Sequence, residues 1–224
     1  MASRSGEQEA GAPRAVAFDF NGTLSLDEPL LCSIYREMFA GQGRPLTEAE
    51  YFAQLAGHTE ETIIGTWLEV EGDELAALVE QRVARYLERA GDGSTVPDAV
   101  REAVAYAAER VPVAVVSGAF RREIEPVLAA AGLAPHIRVV VAADDVAEGK
   151  PHPEGYERAV ALLGGGLRPG DVVAFEDTEA GVAAAKDAGL RCVGLLSTLA
   201  PERLARADEL AERVDVAFLR GLLG

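Results

Sequence analysis

Apolar residues along this chain follow two patterns, and the change between them divides it. At 15–20, 113–117, 138–142, 172–175 and 192–196 they form short, nearly unbroken runs rich in Val, Ala, Phe and Leu. Parallel strands covered on both faces demand such runs, because neither face meets water. Around the last four runs, apolar positions recur at helical spacing over 98–110, 121–131, 153–163 and 179–188. Gly132 and Gly189 follow two of these stretches, where a helix C-terminus favours a residue free to take positive φ. The alternation predicts an α/β fold: a Rossmann-like parallel sheet of five strands, with right-handed crossovers and helices on both faces.

Residues 30–95 keep only the helical period. A mixed apolar face covers 30–40, and Thr47 with Glu50 has the spacing of a capping box that opens a second helix. Thr59 is placed to cap a third helix through Trp67. Leu75, Leu78, Val79, Val83 and Tyr86 hold one stripe along 73–90. Gly91 to Ser94 reads as a linker. The expected organisation is a loose tail over 1–13, a core domain built from 14–29 and 96–224, and an all-helical cap domain over 30–95 inserted after the first strand.

Composition narrows the partners. Lys and Arg number 21 against 37 Asp and Glu, a net charge of −16. That balance argues against nucleic acid, whose binding depends on clustered cations. No apolar run approaches the ~18 residues of a membrane span, and the polar first residues lack the apolar stretch of a secretory signal. Cys32 and Cys192 sit in no metal-type or Cys-x-x-Cys spacing, so they are expected as reduced core thiols. The expected setting is cytoplasmic, with no membrane or nucleic-acid partner, as a monomer or weak homodimer.

Polar residues interrupt the apolar runs at their C-terminal tips, where open α/β sheets bind ligands. Asp19, Asn21, Gly22 and Thr23 follow the first run, and Ser117 and Gly118 close the second. Lys150 and Pro151 come after the third run, and Glu176 and Asp177 end the fourth. Lys150 and Lys186 are the only lysines in the chain. Lys186, in an Ala-rich helix, reads as a surface charge.

In this order, these four pieces resemble the four motifs of the haloacid dehalogenase-like hydrolases. The likeness is to the β-phosphoglucomutase and phosphoglycolate phosphatase-like group with a helical cap. The resemblance implies a phosphatase acting on a small phosphorylated metabolite. Asp19 is then the nucleophile that forms an aspartyl-phosphate. Ser117, Gly118 and the N–H groups of that turn bind phosphate, with Lys150 as the fixed positive charge. Asp19, Glu176, Asp177 and the backbone carbonyl of Asn21 are the implied Mg²⁺ ligands, as hard oxygen donors.

Asn21 departs from the family pattern, which has a second aspartate there for proton transfer. An amide transfers no proton, so a loss of roughly 10²–10⁴-fold is expected unless another group compensates. Asp27, Glu28 and His58 are the alternatives for that role, and His58 is also a candidate cap contact with substrate. Glu61, Thr62 and Arg121 are further candidate contacts, while His136 and His152 read as ordinary loop residues. A cap without lysine excludes the Schiff-base chemistry of the phosphonate-cleaving branch. Asn rather than Tyr in the first turn, with the Glu176–Asp177 pair kept, argues against the dehalogenase branch. A catalytically attenuated metabolite-binding scaffold and a β-phosphoglucomutase-like mutase remain as alternatives.

Overall fold

The computed structural model describes residues 11–224, so residues 1–10 of the expected tail lie outside the described residues. Six parallel strands form one sheet in the order β3-β2-β1-β4-β5-β6. They are β1 (Ala15–Phe18), β2 (Val113–Val116), β3 (Val139–Val141), β4 (Val172–Glu176), β5 (Arg191–Leu195) and β6 (Glu209–Ala211). Five match the apolar runs. The sixth corrects the expected count of five. β6 is a short edge strand whose Glu209 and Leu210 are exposed, so it carries no apolar run to betray it.

Alternation along β1 sends side chains to two separate cores. Val16 and Phe18 join Val113, Val115, Val173 and Phe175 on one face, against helices α5 (Asp98–Ala108) and α9 (Val216–Leu223). Ala15 and Ala17 join Ala114, Val116 and Ala174 on the other, beneath α7 (Glu154–Leu163) and α8 (Glu179–Asp187). The small residues of that second face let both helices approach the sheet closely. Helix α6 (Arg121–Ala130) completes the crossover from β2 to β3. Gly132 and Gly189 take φ of 75° and 82° just beyond α6 and α8, as helix ends there require.

Between β1 and β2 the described elements are all helical: α1 (Glu28–Gly41), α2 (Glu48–Glu50), a π-turn over Tyr51–Leu55, α3 (Glu60–Leu68) and α4 (Gly72–Ala90). Both expected caps form. Thr47 Oγ1 accepts from Glu50 N at 3.2 Å while Thr47 N donates to Glu50 Oε2 at 2.8 Å. Thr59 Oγ1 accepts from Thr62 N at 3.3 Å. The second helix is shorter than its capping box suggests, giving way at once to the π-turn. Apolar residues of these helices, among them Leu31, Tyr35, Ile64 and Tyr86, are continuous with the Phe18 core. The chain enters and leaves this segment through two adjacent strands of backbone. Leu26 N donates to Thr95 O at 2.9 Å, and Ser25 Oγ to Thr95 Oγ1 at 2.7 Å.

None of the described helices is long and apolar enough to cross a membrane. Cys32 and Cys192 are both free and buried, as expected.

Candidate active site

Sheet register assembles the site. Phe18 pairs with Val115 on one side and Phe175 on the other, so the next residues, Asp19, Val116 and Glu176, stand level at the sheet's C-terminal edge. Asp19 N donates to Phe175 O at 2.9 Å, which holds the carboxylate at the tip. Lys150 arrives from the loop before α7. Its Nζ donates to Asp19 Oδ1 at 2.5 Å and Val116 O at 3.0 Å, and lies 2.6 Å from Glu176 Oε1. Tyr156 OH, from α7, donates to the same Glu176 oxygen at 2.5 Å.

Three carboxylates crowd this one cation. Asp19, Glu176 and Asp177 each offer an oxygen within 4.8 Å of the others, and all three are buried. Burial pushes the Asp19 carboxyl up, against the pull of Lys150. Burial also takes Glu176 up to about 7 despite Lys150, with the Asp19 charge adding to the rise. Asp177 is held well above the usual carboxylate range, first by burial and then by the charges of Asp19, Glu28 and Glu176. Asp177 Oδ2 and Glu176 Oε2 are buried without a hydrogen-bond partner among the described residues.

Two glycines make room for those oxygens. A Cβ at Gly22, whose φ is 70°, would fall 1.9 Å from Asp177 Oδ2; one at Gly181 would fall 1.8 Å from Glu176 Oε2. Unsatisfied, mutually repelling carboxylate oxygens are a donor set that suits a hard divalent cation. The residues present therefore fit the ion that the sequence implies.

The turn after β2 is more committed internally than the sequence suggests. Ser117 N donates to Val141 O at 2.9 Å, and Ala119 N donates to Ser117 Oγ at 3.1 Å. Two of the turn's three N–H groups are thereby engaged within the protein. Ser117 Oγ, already accepting from Ala119, keeps its own proton to donate. The N–H of Gly118 makes no backbone or side-chain hydrogen bond among the described residues.

The Asn21 amide is tied to a buried carboxylate. Its Nδ2 donates to Asp27 Oδ2 at 2.9 Å, and Tyr86 OH donates to the same oxygen at 2.5 Å. Gly22 N donates to Asp27 Oδ1 at 3.3 Å. Asp27 is fully buried, and burial raises its carboxyl above the ordinary value although these donors pull it back.

A pocket opens from Asp19, Asn21, Ser117, Gly118 and Lys150 toward the helical segment. Glu28, His58, Glu60 and Arg82 line its far side with Tyr35 and Tyr51. Glu28 accepts from Tyr51 OH at 3.0 Å; burial and the neighbouring Asp27 charge push it up to about 7. Arg82 is buried against Glu60 at 3.2 Å and pairs with Glu123 of α6.

Of the candidate contacts, His58 reaches this pocket and Asp27 does not. Glu61 and Thr62 line an adjoining pocket that shares Thr59, Ser117, Gly118 and Lys150 with the first. Arg121 lines neither. It is tied to Glu125 at 2.9 Å and Asp145 at 2.5 Å. Lys186 forms a surface pair with Asp208 at 2.7 Å, and His152 one with Glu148 at 3.0 Å. His136 lies in a groove remote from the site. Glu60, Arg82, Tyr51, Tyr86 and Tyr156 escaped the sequence reading. Only the apolar stripe of α4, which includes Tyr86, hinted at any of them.

Residues 13–189 match the family described as haloacid dehalogenase-like hydrolase. The validoxylamine A 7′-phosphate phosphatase of Streptomyces hygroscopicus subsp. limoneus is 34% identical over 212 residues, covering 88% of this chain and 92% of that protein. The phosphoglycolate phosphatase of Pectobacterium atrosepticum is 30% identical over 193 residues, covering 84% and 82%. Among solved structures, CbbY from Rhodobacter sphaeroides in complex with phosphate superposes with a TM-score of 0.81 at 28% identity. That match covers 94% of this chain and 99% of CbbY.

Proposed function

Because the chain belongs to the haloacid dehalogenase-like hydrolases, we propose that it is a Mg²⁺-dependent phosphatase hydrolysing a small phosphomonoester or acyl phosphate through an aspartyl-phosphate on Asp19. The observation that carries this reading is the convergence of Asp19, Lys150, Glu176 and Asp177 at one sheet edge, in a pocket roofed by the helices of 30–95. Relatives named as phosphatases of phosphorylated small molecules support it.

In this reading Asp19 attacks phosphorus, its oxygen forms the new P–O bond, and the ester oxygen leaves with the bonding pair. Water then attacks the aspartyl-phosphate, releasing inorganic phosphate and restoring the Asp19 carboxylate. Lys150 neutralises the nucleophile's surroundings so that an anionic ester can approach. Ser117 Oγ and the Gly118 N–H donate to the non-bridging oxygens as charge builds there. Mg²⁺, held by Asp19, Glu176, Asp177 and the Asn21 carbonyl, supplies Lewis-acid charge neutralisation when bound. Residues 30–95 act as a cap domain over the core of 14–29 and 96–224, and the protein works in the cytoplasm.

Proton transfer falls to a group other than Asn21. Asp27 lies outside the pocket and anchors Asn21. Glu28 lines the pocket and titrates near neutrality, as a general acid and base at pH 7 must. We therefore assign that role to Glu28. The Asn21–Asp27 bond also favours the attenuated reading, in which the site binds phosphate but turns over slowly. Mg²⁺-dependent phosphate release from acetyl phosphate and p-nitrophenyl phosphate tests the proposal. Folded protein that releases phosphate from neither would defeat it.

A further inference from the structure

The loop after β5 brings a hydroxyl to the carboxylate cluster that none of the four polar strand tips supplies. β5 ends at Leu195, and Ser197 and Thr198 follow it in a turn. Ser197 Oγ donates to Gly22 O at 2.7 Å, which fastens this turn to the one that follows Asp19. Thr198 Oγ1 is buried and has no hydrogen-bond partner among the described residues, and the same holds for Asp177 Oδ2. The two open atoms are neighbours. A Cβ built on Gly22 would lie 1.9 Å from Asp177 Oδ2 and 2.7 Å from Thr198 Oγ1.

Buried polar atoms are almost always paired, so an open hydroxyl beside an open carboxylate oxygen calls for a reason. The threonine has a proton to donate, and an ionised carboxylate only accepts. Asp177 Oδ1 already accepts from Thr23 Oγ1 at 3.4 Å. A bond from Thr198 to Oδ2 brackets the carboxylate between hydroxyls of two loops, and each oxygen keeps lone-pair capacity for a cation. Rotation of the hydroxyl and a small turn of the carboxylate are the only freedoms it needs. Tyr156 OH already plays this part for Glu176. Thr198 lines neither of the pockets that reach Lys150, so its place is behind the carboxylates rather than against the substrate.

Resting on the reading of this cluster as a Mg²⁺ site, we propose that Thr198 is a positioning residue for it. The Thr198 hydroxyl donates to Asp177 Oδ2 and holds that carboxylate in the orientation that ligates the cation.

Calorimetric titration of the full chain with Mg²⁺ alone tests this without turnover. Thr198→Val keeps the branched shape and removes the hydroxyl; Thr198→Ser keeps the hydroxyl and removes the methyl. Loss of a group that orients a metal ligand typically costs 10–100-fold in affinity, so Thr198→Val is expected to raise the Kd for Mg²⁺ by about that factor. Thr198→Ser should stay near the wild-type value. Urea unfolding of the metal-free proteins separates this role from a packing one. The hydroxyl has no bond to lose there, so Thr198→Val should unfold at or above the wild-type midpoint. A merely structural Thr198 would lower that midpoint and leave the Kd unchanged.

A wild-type Kd in folded Thr198→Val protein overturns the proposal, and so does a Thr198→Ser Kd as weak as that of Thr198→Val. Thr198→Ala removes the same hydroxyl with a smaller side chain and should show the same loss, so it decides the matter if the valine protein does not fold. Wild-type protein that binds no Mg²⁺ would instead overturn the metal reading itself.

Discussion

Asn21 Nδ2 donates to the buried Asp27 carboxylate at 2.9 Å, so the residue that departs from the family pattern is built into the fold. Restoring a carboxyl by Asn21→Asp sets two carboxyls against one another, and like charges at that separation force the pair to keep one proton. A proton held there is available to a departing alkoxide. Turnover of alkyl phosphates is expected to rise by about 10²-fold or more. Acetyl phosphate, whose leaving group needs no proton, should gain far less. Steady-state rates on both ester types check this, and equal gains would show that Asn21 does not limit proton transfer.

Glu28 gives a pH signature. Its carboxyl titrates at about 7 in the fold against an ordinary value of 4.5, so the folded state binds the extra proton between those values. Its contribution to stability is complete below 4.5 and is lost as pH rises through 7. Glu28→Gln removes that loss and keeps an acceptor for Tyr51. Urea unfolding at pH 5 and pH 8 should show the variant gaining on the wild type, on the order of 2 kcal/mol, at the higher pH. The same variant should flatten the limb of the kcat profile near pH 7. An unchanged profile would remove Glu28 from proton transfer.

Metal binding is expected to appear as stability. Mg²⁺ would relieve three clustered carboxylates whose pKa values burial raises above their ordinary range. At 100 times its Kd it should add about 2.7 kcal/mol and raise Tm by several degrees. Gly22→Ala drives a methyl into Asp177 Oδ2 and strains a positive φ, so the Mg²⁺-linked shift should vanish in that variant. Differential scanning calorimetry with and without Mg²⁺ measures both. A shift preserved in Gly22→Ala places the ion elsewhere.

The sheet edge was readable because its chemistry is local. Asp19, Ser117, Lys150 and Glu176 each end or follow a strand whose apolar run is plain in the sequence, and register alone then brings the first and last side by side. Glu60 and Arg82 were hidden for the opposite reason. They lie on two helices that meet only through tertiary packing, and a charged residue on a helix reads as solvated surface until its partner is known. Arg121 erred in the other direction, a cation near the right strand that neighbouring carboxylates hold aside. β6 and α9 were missed because a half-exposed edge strand and a short terminal helix leave weak patterns.

Asn21 precedes glycine, the neighbour that least hinders attack of its backbone nitrogen on the amide. In the fold that nitrogen is engaged, donating from Gly22 to Ser25 O at 2.7 Å and to Asp27 Oδ1. Deamidation at Asn21 is therefore expected to be slow in native protein and fast in urea. Peptide mass spectrometry of aged samples reads the added mass. Equal rates in both states would mean that the turn opens freely.

The Ser25–Thr95 hydrogen bond pins the two ends of the helical segment together at its base. Closure of a loop costs entropy that grows only with the logarithm of its length once its ends are fixed. The connections between those helices can thus gain or lose residues at little entropic cost, while the apolar faces packed on the Phe18 core are kept. Selectivity for the leaving group can therefore be redrawn among the pocket-lining residues of 51–82, provided that Asp27 and Glu28, beside the hinge, stay in place.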